Sequence, residues 1–302
     1  MPELPEVETV VRSLRPLLVG RRITAVALPS LESNGSGGRV LRRLLNEPAA
    51  AFQKGLCGSR VEEIRRHGKN ILIELRREGK HAARTCLLVH LGMTGRLQFE
   101  AIAEPLRPHT HLIFSLDAPG CWLHFSDPRR FGKLRLIADG VRDLPTLGPD
   151  PMEISPEDFY ARLHSRRAML KSLLLDQRFL RGLGNIYADE SLSRARLHPA
   201  AIGAALSRGQ VARLYESIRD TLAQAIALGG SSISSYVDAQ GRAGWFQQVH
   251  QVYGRTGEKC FRCGSLIHRM IIASRSTHYC PRCQRAGRPL APKAGPPGKG
   301  AR

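Results

Sequence analysis

The feature that most limits how this chain can fold is a pair of cysteine knuckles near its end. Two residues separate Cys260 from Cys263 and Cys280 from Cys283, and sixteen lie between the pairs. Tetrahedral zinc takes soft thiolate ligands, and two short knuckles supply four of them, so the spacing fits a four-thiolate zinc site. Four protein ligands leave no open position for water, which makes such an ion structural. Two redox pairs are the alternative, but the surrounding βαβ pattern of such motifs is missing. The other cysteines, Cys57, Cys86 and Cys121, are scattered and odd in number, which argues against a secreted disulfide framework. Between the knuckles, LIHRMIIASRSTHY is β-rich and carries Arg269 and Arg275, which a zinc-braced hairpin can present to a phosphate.

Ahead of the knuckles the hydrophobic period changes once. An opening helix is expected because Val7, Val10, Val11, Leu14, Leu17 and Leu18 share a face and Gly20 can stop it. RITAVAL at 22–28 reads as a strand, and 29–50, with SNGSGG at 33–38, reads as a surface excursion. VEEIRR, NILIEL, CLLVHL, RLQFEA, HLIFSL, CWLHFS and KLRLIA follow at short intervals between 60 and 138, the pattern of an antiparallel sandwich or barrel. A proline-rich linker is expected at 139–155, then helices over 156–164, 167–176, 185–196 and 207–228. Residues 229–245 (GGSSISSYVDAQGRAGW) are polar and glycine-containing, the mark of an irregular functional loop. The expected units are a β domain over 2–138, a helical domain over 156–246, a finger over 247–285 and a basic disordered tail over 286–302.

Charge narrows the partner. The 302 residues hold 46 Lys and Arg against 26 Asp and Glu, a formal +20, and arginine dominates the excess. Guanidinium forks suit phosphate, so a polyanion is expected, with nucleic acid ahead of an anionic membrane and ahead of a merely solvated surface. No apolar run reaches the length of a membrane span, and the start lacks the apolar segment of a signal peptide, so an intracellular protein is expected.

The first eight residues, MPELPEVE, admit two readings. Proline and glutamate in a first turn are ordinary helix-start chemistry. Cells also remove an initiator methionine when a small residue follows it. Pro2 would then carry a free secondary amine beside Glu3, and an α-amino group titrates near 7.7–8.0 and is partly nucleophilic at neutral pH. On these letters alone both readings stand.

MPELPEVE, HLGMTGRL at 90–97, SDPRRFGKL at 126–134, GLGNIYADE at 182–190 and the four cysteines together resemble the formamidopyrimidine-DNA glycosylases. The resemblance runs from residue 2 to about 285. It implies an α+β multidomain fold: an antiparallel β-sandwich led by a catalytic helix, a helix–two-turn–helix domain and a C-terminal zinc finger. It also implies a monomer acting on double-stranded DNA that contains oxidised purines, in the bacterial cytoplasm and associated with the nucleoid, with one structural Zn2+.

Residue by residue, the resemblance makes Pro2 the nucleophile toward C1′, Glu3 the acid–base residue and Glu6 a supporting carboxylate. Lys69 matches a lysine that contacts phosphate and assists proton transfer, and Arg275 the finger arginine that grips phosphate. Met93, Arg129 and Phe131 match residues pushed into the gap left by an extruded nucleotide, a step that chemistry on a stacked base requires. His111, Lys171 and Asn185 complete the implied DNA-binding set. Asn185 is expected to act with nearby amides, because glycines and a helix N-terminus favour an anion. Tyr236 and its neighbours resemble a loop that closes over the base.

Three other readings stand beside this one, one of them a pseudo-enzyme that retains Met1, in which position 2 is an amide nitrogen and does not attack. The sister enzymes of endonuclease VIII type act on oxidised pyrimidines but open with PEGPE, where this chain has Leu4. A non-enzymatic DNA-binding protein would use the charge and the finger and leave Pro2 and Glu3 dispensable.

Overall fold

The computed structural model describes residues 1–29, 37–77, 84–100, 106–138, 144, 146–233 and 236–286. Helix α1 (Leu4–Leu18) opens the chain, and its first turn is closed by Glu3 N–H donating to Glu6 Oε2 at 2.8 Å. Its apolar face is divided between two cores. Leu4 packs with the helical half, whereas Val7, Val10, Val11, Leu14 and Leu18 pack into the β half. The first two turns of α1 therefore sit where the two cores meet.

The β half is two antiparallel four-stranded sheets. One has the order β1 (Ile23–Ala27), β6 (Thr110–Leu116), β7 (Trp122–Ser126), β5 (Arg96–Glu100). The other runs β2 (Ser59–His67), β3 (Asn70–Arg77), β4 (Arg84–His90), β8 (Lys133–Ala138). Inward residues of both sheets, among them Ile64, Ile73, Val89, Leu112, Phe114 and Phe125, share one core with α1. Truncating such a residue to Ala costs about 2–5 kcal/mol. Leu72, Cys86, Leu88 and Ile137 form a second cluster with Leu144. That explains why β3 and β4 read as apolar runs instead of clean alternation.

All the expected strands are present, but the surface excursion is corrected. Helix α2 (Gly37–Leu44) lies within it and α3 (Ala49–Leu56) starts at its end; Val40, Leu41, Leu44 and Leu45 are buried in the main core, as are Phe52 and Leu56 of α3. Glycines draw the reading toward a loop, and the apolar spacing after them prevails. Residues 30–36 lie outside the described residues, as do 139–143, 145 and the tail from 287. Within the expected linker, Asp150 and Ile154 are buried. Asp150 receives Arg66 Nη1 at 2.8 Å and Arg181 Nε at 3.3 Å, tying β2 to the helical half.

The helical half contains α4 (Pro156–His164), α5 (Leu170–Leu175), α6 (Asn185–Arg194) and α7 (Arg208–Ala227). Ser155 caps α4 by accepting Asp158 N–H at 3.0 Å, and Ser207 with Gln210 closes a capping box on α7. Helix α5 is shorter than the expected 167–176. No helix among the described residues is long and apolar enough to cross a membrane. The described part of 229–245 has no helix or strand, in agreement with its composition. A hairpin of β9 (His268–Ile272) and β10 (Arg275–Tyr279) separates the cysteine knuckles.

Candidate active site

Glu3 is buried, and its carboxylate lies across the start of α6. Oε1 accepts Ile186 N–H at 3.0 Å and Oε2 accepts Tyr187 N–H at 3.4 Å. The glycine before that helix is what allows the approach: a Cβ on Gly184 would stand 2.4 Å from Glu3 Cδ. An anion is expected at this helix N-terminus, and the structure supplies a different one. Amides expected to face DNA phosphate donate instead to the Glu3 carboxylate.

Glu6, one turn on, is a hub. Oε2 accepts Glu3 N–H, while Oε1 accepts Ser231 N–H at 2.7 Å and a short hydrogen bond from the Tyr187 hydroxyl. Burial pushes its pKa up to about 7, and the neighbouring Glu3 charge adds to the effect. The same carboxylate holds the 229–245 loop, which is also laced to α1 by Tyr236 O–H donating to Glu6 O at 3.1 Å and Ala239 N–H to Ser13 Oγ at 3.2 Å. Sequence reasoning missed Tyr187, although it sits inside GLGNIYADE.

Pro2 is buried behind a half-exposed Met1. Lys69, in the turn between β2 and β3, faces Glu3 and Glu6. Burial lowers its pKa, the two carboxylates oppose that, and the Arg275 guanidinium adds to the lowering. Four of the expected residues, Pro2, Glu3, Lys69 and Arg275, are thus gathered from the N-terminus, the β2–β3 turn and the finger hairpin. His90, beside them, is held by Asn70 Oδ1 at 3.0 Å from its Nδ1, and burial lowers its pKa.

A second group projects from two adjoining turns. Met93, at 41% exposure, and Phe131, at 50%, are unusually open for their types, and the Arg129 guanidinium lies 4.9 Å from the Phe131 ring centre. Buried Asp127 fixes the two turns together. Its carboxylate accepts Thr94 O–H, Arg129 N–H at 3.2 Å and Gly132 N–H at 2.7 Å. The turns touch closely enough that a Cβ on Gly92 would meet the Phe131 carbonyl carbon at 2.6 Å.

Two of the expected DNA-binding residues lie beneath the protein surface. His111 is 3% exposed, with Nε2 hydrogen-bonded at 3.0 Å to the Asp127 carbonyl, so it braces the Arg129 turn from behind. Lys171 is fully buried, its ammonium donating to Asp189 Oδ1 at 2.7 Å and Asn185 O at 2.9 Å. An ammonium within an apolar helix needs a partner, and Asp189 is that partner. The other oxygen of Asp189 accepts His278 N–H at 2.9 Å and lies 3.0 Å from His278 Nδ1, linking α6 to the finger. Asn185 adds to the link by donating to Ser276 O at 2.9 Å.

The four cysteine Sγ atoms lie within 4.8 Å of one another, with Cys263–Cys280 at 3.4 Å and Cys260–Cys283 at 4.0 Å. A tetrahedral ion with Zn–S near 2.3 Å needs sulfurs about 3.8 Å apart, so the cluster fits zinc. Gln284 secures the second knuckle, accepting Cys280 N–H and donating to Leu197 O, both at 2.9 Å.

A β-sandwich and a helical domain that meet over a carboxylate pair, with a zinc finger docked on the helical side, define the class of helix–two-turn–helix, zinc-finger DNA glycosylases. Family models narrow this further. The formamidopyrimidine-DNA glycosylase N-terminal domain matches residues 1–134, the H2TH domain of the same enzymes 147–237, and a zinc finger found in FPG and IleRS 257–286. The chain belongs to the formamidopyrimidine-DNA glycosylase family.

Among its relatives, the formamidopyrimidine-DNA glycosylase of Solibacter usitatus is 45% identical over 94% of this chain and 100% of its own length. That of Pelotomaculum thermopropionicum is 41% identical over 94% and 99%. A Lactococcus lactis FPG mutant, solved in complex with Fapy-dG-containing DNA, superposes with a TM-score of 0.81 at 34% identity, covering 94% of this chain and 100% of that one. The Thermus thermophilus MutM (FPG) crystal structure gives 0.78 at 40% identity, covering 95% and 100%.

Proposed function

We propose that this chain is a bifunctional DNA glycosylase and AP lyase of base excision repair that removes oxidised purines from double-stranded DNA. The observation that carries this is the meeting of Pro2, Glu3, Glu6, Lys69 and Arg275 at one junction between two domain cores. With Met1 removed, Pro2 carries a secondary amine beside the Glu3 carboxylate. The amine attacks C1′ of the damaged nucleotide, and the departing base takes the glycosidic electron pair and a proton. Ring opening at O4′ then gives an iminium between Pro2 and the sugar.

The iminium acidifies the C2′ proton, whose loss expels the 3′ phosphate in a β-elimination. A further δ-elimination expels the 5′ phosphate. Glu3 moves protons at the sugar. Lys69, whose pKa burial lowers, assists the proton transfers and attracts a phosphate. Arg275 holds phosphate from the finger side. Met93, Arg129 and Phe131 occupy the space of the extruded nucleotide, since a stacked base is out of reach of the amine. Bound zinc supplies no chemistry here; with four thiolates it holds the hairpin that carries Arg275.

The enzyme acts as a monomer in the bacterial cytoplasm, on the chromosome. Strand cleavage of a duplex carrying 8-oxoguanine opposite cytosine tests the assignment against one carrying thymine glycol. Efficient cleavage of the first is expected, and a clear preference for the second would reassign the chain to oxidised pyrimidines.

A further inference from the structure

The knuckle side of the finger carries a second basic surface, at the other end of α6 from Glu3. Arg196, Arg262, Arg282 and Arg285, with Gln210, surround an open cavity of about 580 Å³ bordered by Cys263 and Cys283. The ten residues of α6 rise about 15 Å, and Arg196 follows its C-terminal end, so this cavity stands well apart from the carboxylates at its start.

The four arginines are exposed. Among the described residues none of them is paired with a carboxylate, whereas neighbouring Arg194 and Arg255 are paired with Asp220 at 3.2 Å and Glu258 at 2.9 Å. Balancing the metal centre accounts for only part of this charge. Zinc with four thiolates carries two formal negative charges against four guanidiniums, and the cavity stays positive.

We propose that this cavity is a second DNA-backbone surface, holding a duplex segment other than the one at the active site. Open and spread guanidiniums suit a run of phosphates, whose binding gains with each counterion released. A single small anion would need convergent, enclosed donors, and this cavity is open. The inference rests on DNA as the partner but not on the excision chemistry.

The test is the full-length, zinc-loaded protein carrying Arg196→Gln, Arg282→Gln and Arg285→Gln together. Arg262 is kept because its Nη1 donates to Ser193 O at 3.2 Å and so holds the finger. On long undamaged duplex the salt slope of log affinity should shrink by about 2–3, the value for three lost phosphate contacts. Wild-type protein already holding a short lesion duplex should capture a labelled second duplex, and the variant should not. Zinc content and single-turnover excision on the short duplex should match wild type.

An unchanged salt slope together with undiminished capture overturns the proposal. So does a parallel loss of zinc and short-duplex excision, which marks the arginines as structural. Millimolar pyrophosphate binding with no second-duplex capture by wild type also overturns it, in favour of a small-anion site. Failure of wild type to excise the short duplex counts against the enzymatic function instead, and the capture measurement is read separately.

Discussion

Glu3 and Gly184 are in such close contact that the glycine cannot gain a side chain without moving the carboxylate: a Cβ at 184 would stand 2.4 Å from Glu3 Cδ and 2.5 Å from its Oε1. Residues at opposite ends of a long sequence gap thereby fix the orientation of the Glu3 carboxylate. Gly184→Ala should leave a folded, zinc-loaded protein in which Glu3 is displaced from the α6 amides. A displacement near 1 Å can cost roughly a hundredfold in rate. Single-turnover base excision is the measurement, and wild-type rates in this variant would remove the contact from the account.

The Lys171–Asp189 pair joins α6 to the finger through His278. Lys171→Met leaves Asp189 buried without its cation, which should destabilise the protein by about 3–5 kcal/mol. Urea denaturation reads that loss, and DNA affinity should fall with it because the finger is no longer seated. A variant of wild-type stability that loses DNA affinity alone would restore Lys171 as a direct contact.

Glu6 gives the protein a stability term with a definite sign. Its folded pKa is raised from the usual carboxylate value of 4.5 to about 7, so the folded protein keeps a proton that the unfolded chain releases earlier. The resulting stabilisation is complete below about pH 4.5 and is lost as pH rises through about 7. Glu6→Gln abolishes this loss but also removes hydrogen-bond acceptors at every pH. The variant's Tm relative to wild type should therefore improve from pH 5 to about pH 7 and level off above it, and a constant difference from pH 5 to pH 8 would contradict the assignment.

Phe131 is half exposed and contacts the Arg129 guanidinium, so its loss should barely affect folding. Phe131→Ala should change stability by no more than about 1 kcal/mol. Lesion excision should drop roughly tenfold or more, because unstacking a base step costs a few kcal/mol that the inserted ring offsets. Bending of a labelled lesion duplex, followed by energy transfer, should diminish in parallel. Full bending in the variant would point to Met93 and Arg129 alone.

What is legible in the sequence divides by range. The strands from Val61 to Ala138 and helices α4 and α7 follow from local period, and the knuckles from spacing alone. The packing of Val40, Leu41 and Leu44 does not, because the glycines before them signal a turn and the burial depends on the distant strand β8. The chemistry-bearing residue types are visible, yet their grouping is not: Glu3 meets Ile186, Glu6 meets Ser231 and Asp189 meets His278 across gaps no local pattern encodes. Lys171 carries a local clue, a lone cation within the apolar run MLKSLLL, which points to a buried and paired ammonium more than to a surface contact.

The most direct test is borohydride reduction of the processed protein in the presence of a duplex bearing 8-oxoguanine opposite cytosine, with peptide mapping of the product. A stable protein–DNA adduct on the nitrogen of Pro2, absent when the methionine is retained, is the result expected. Strand cleavage with the adduct on Lys69 or any other amine, or no adduct from fully processed protein, would contradict the account.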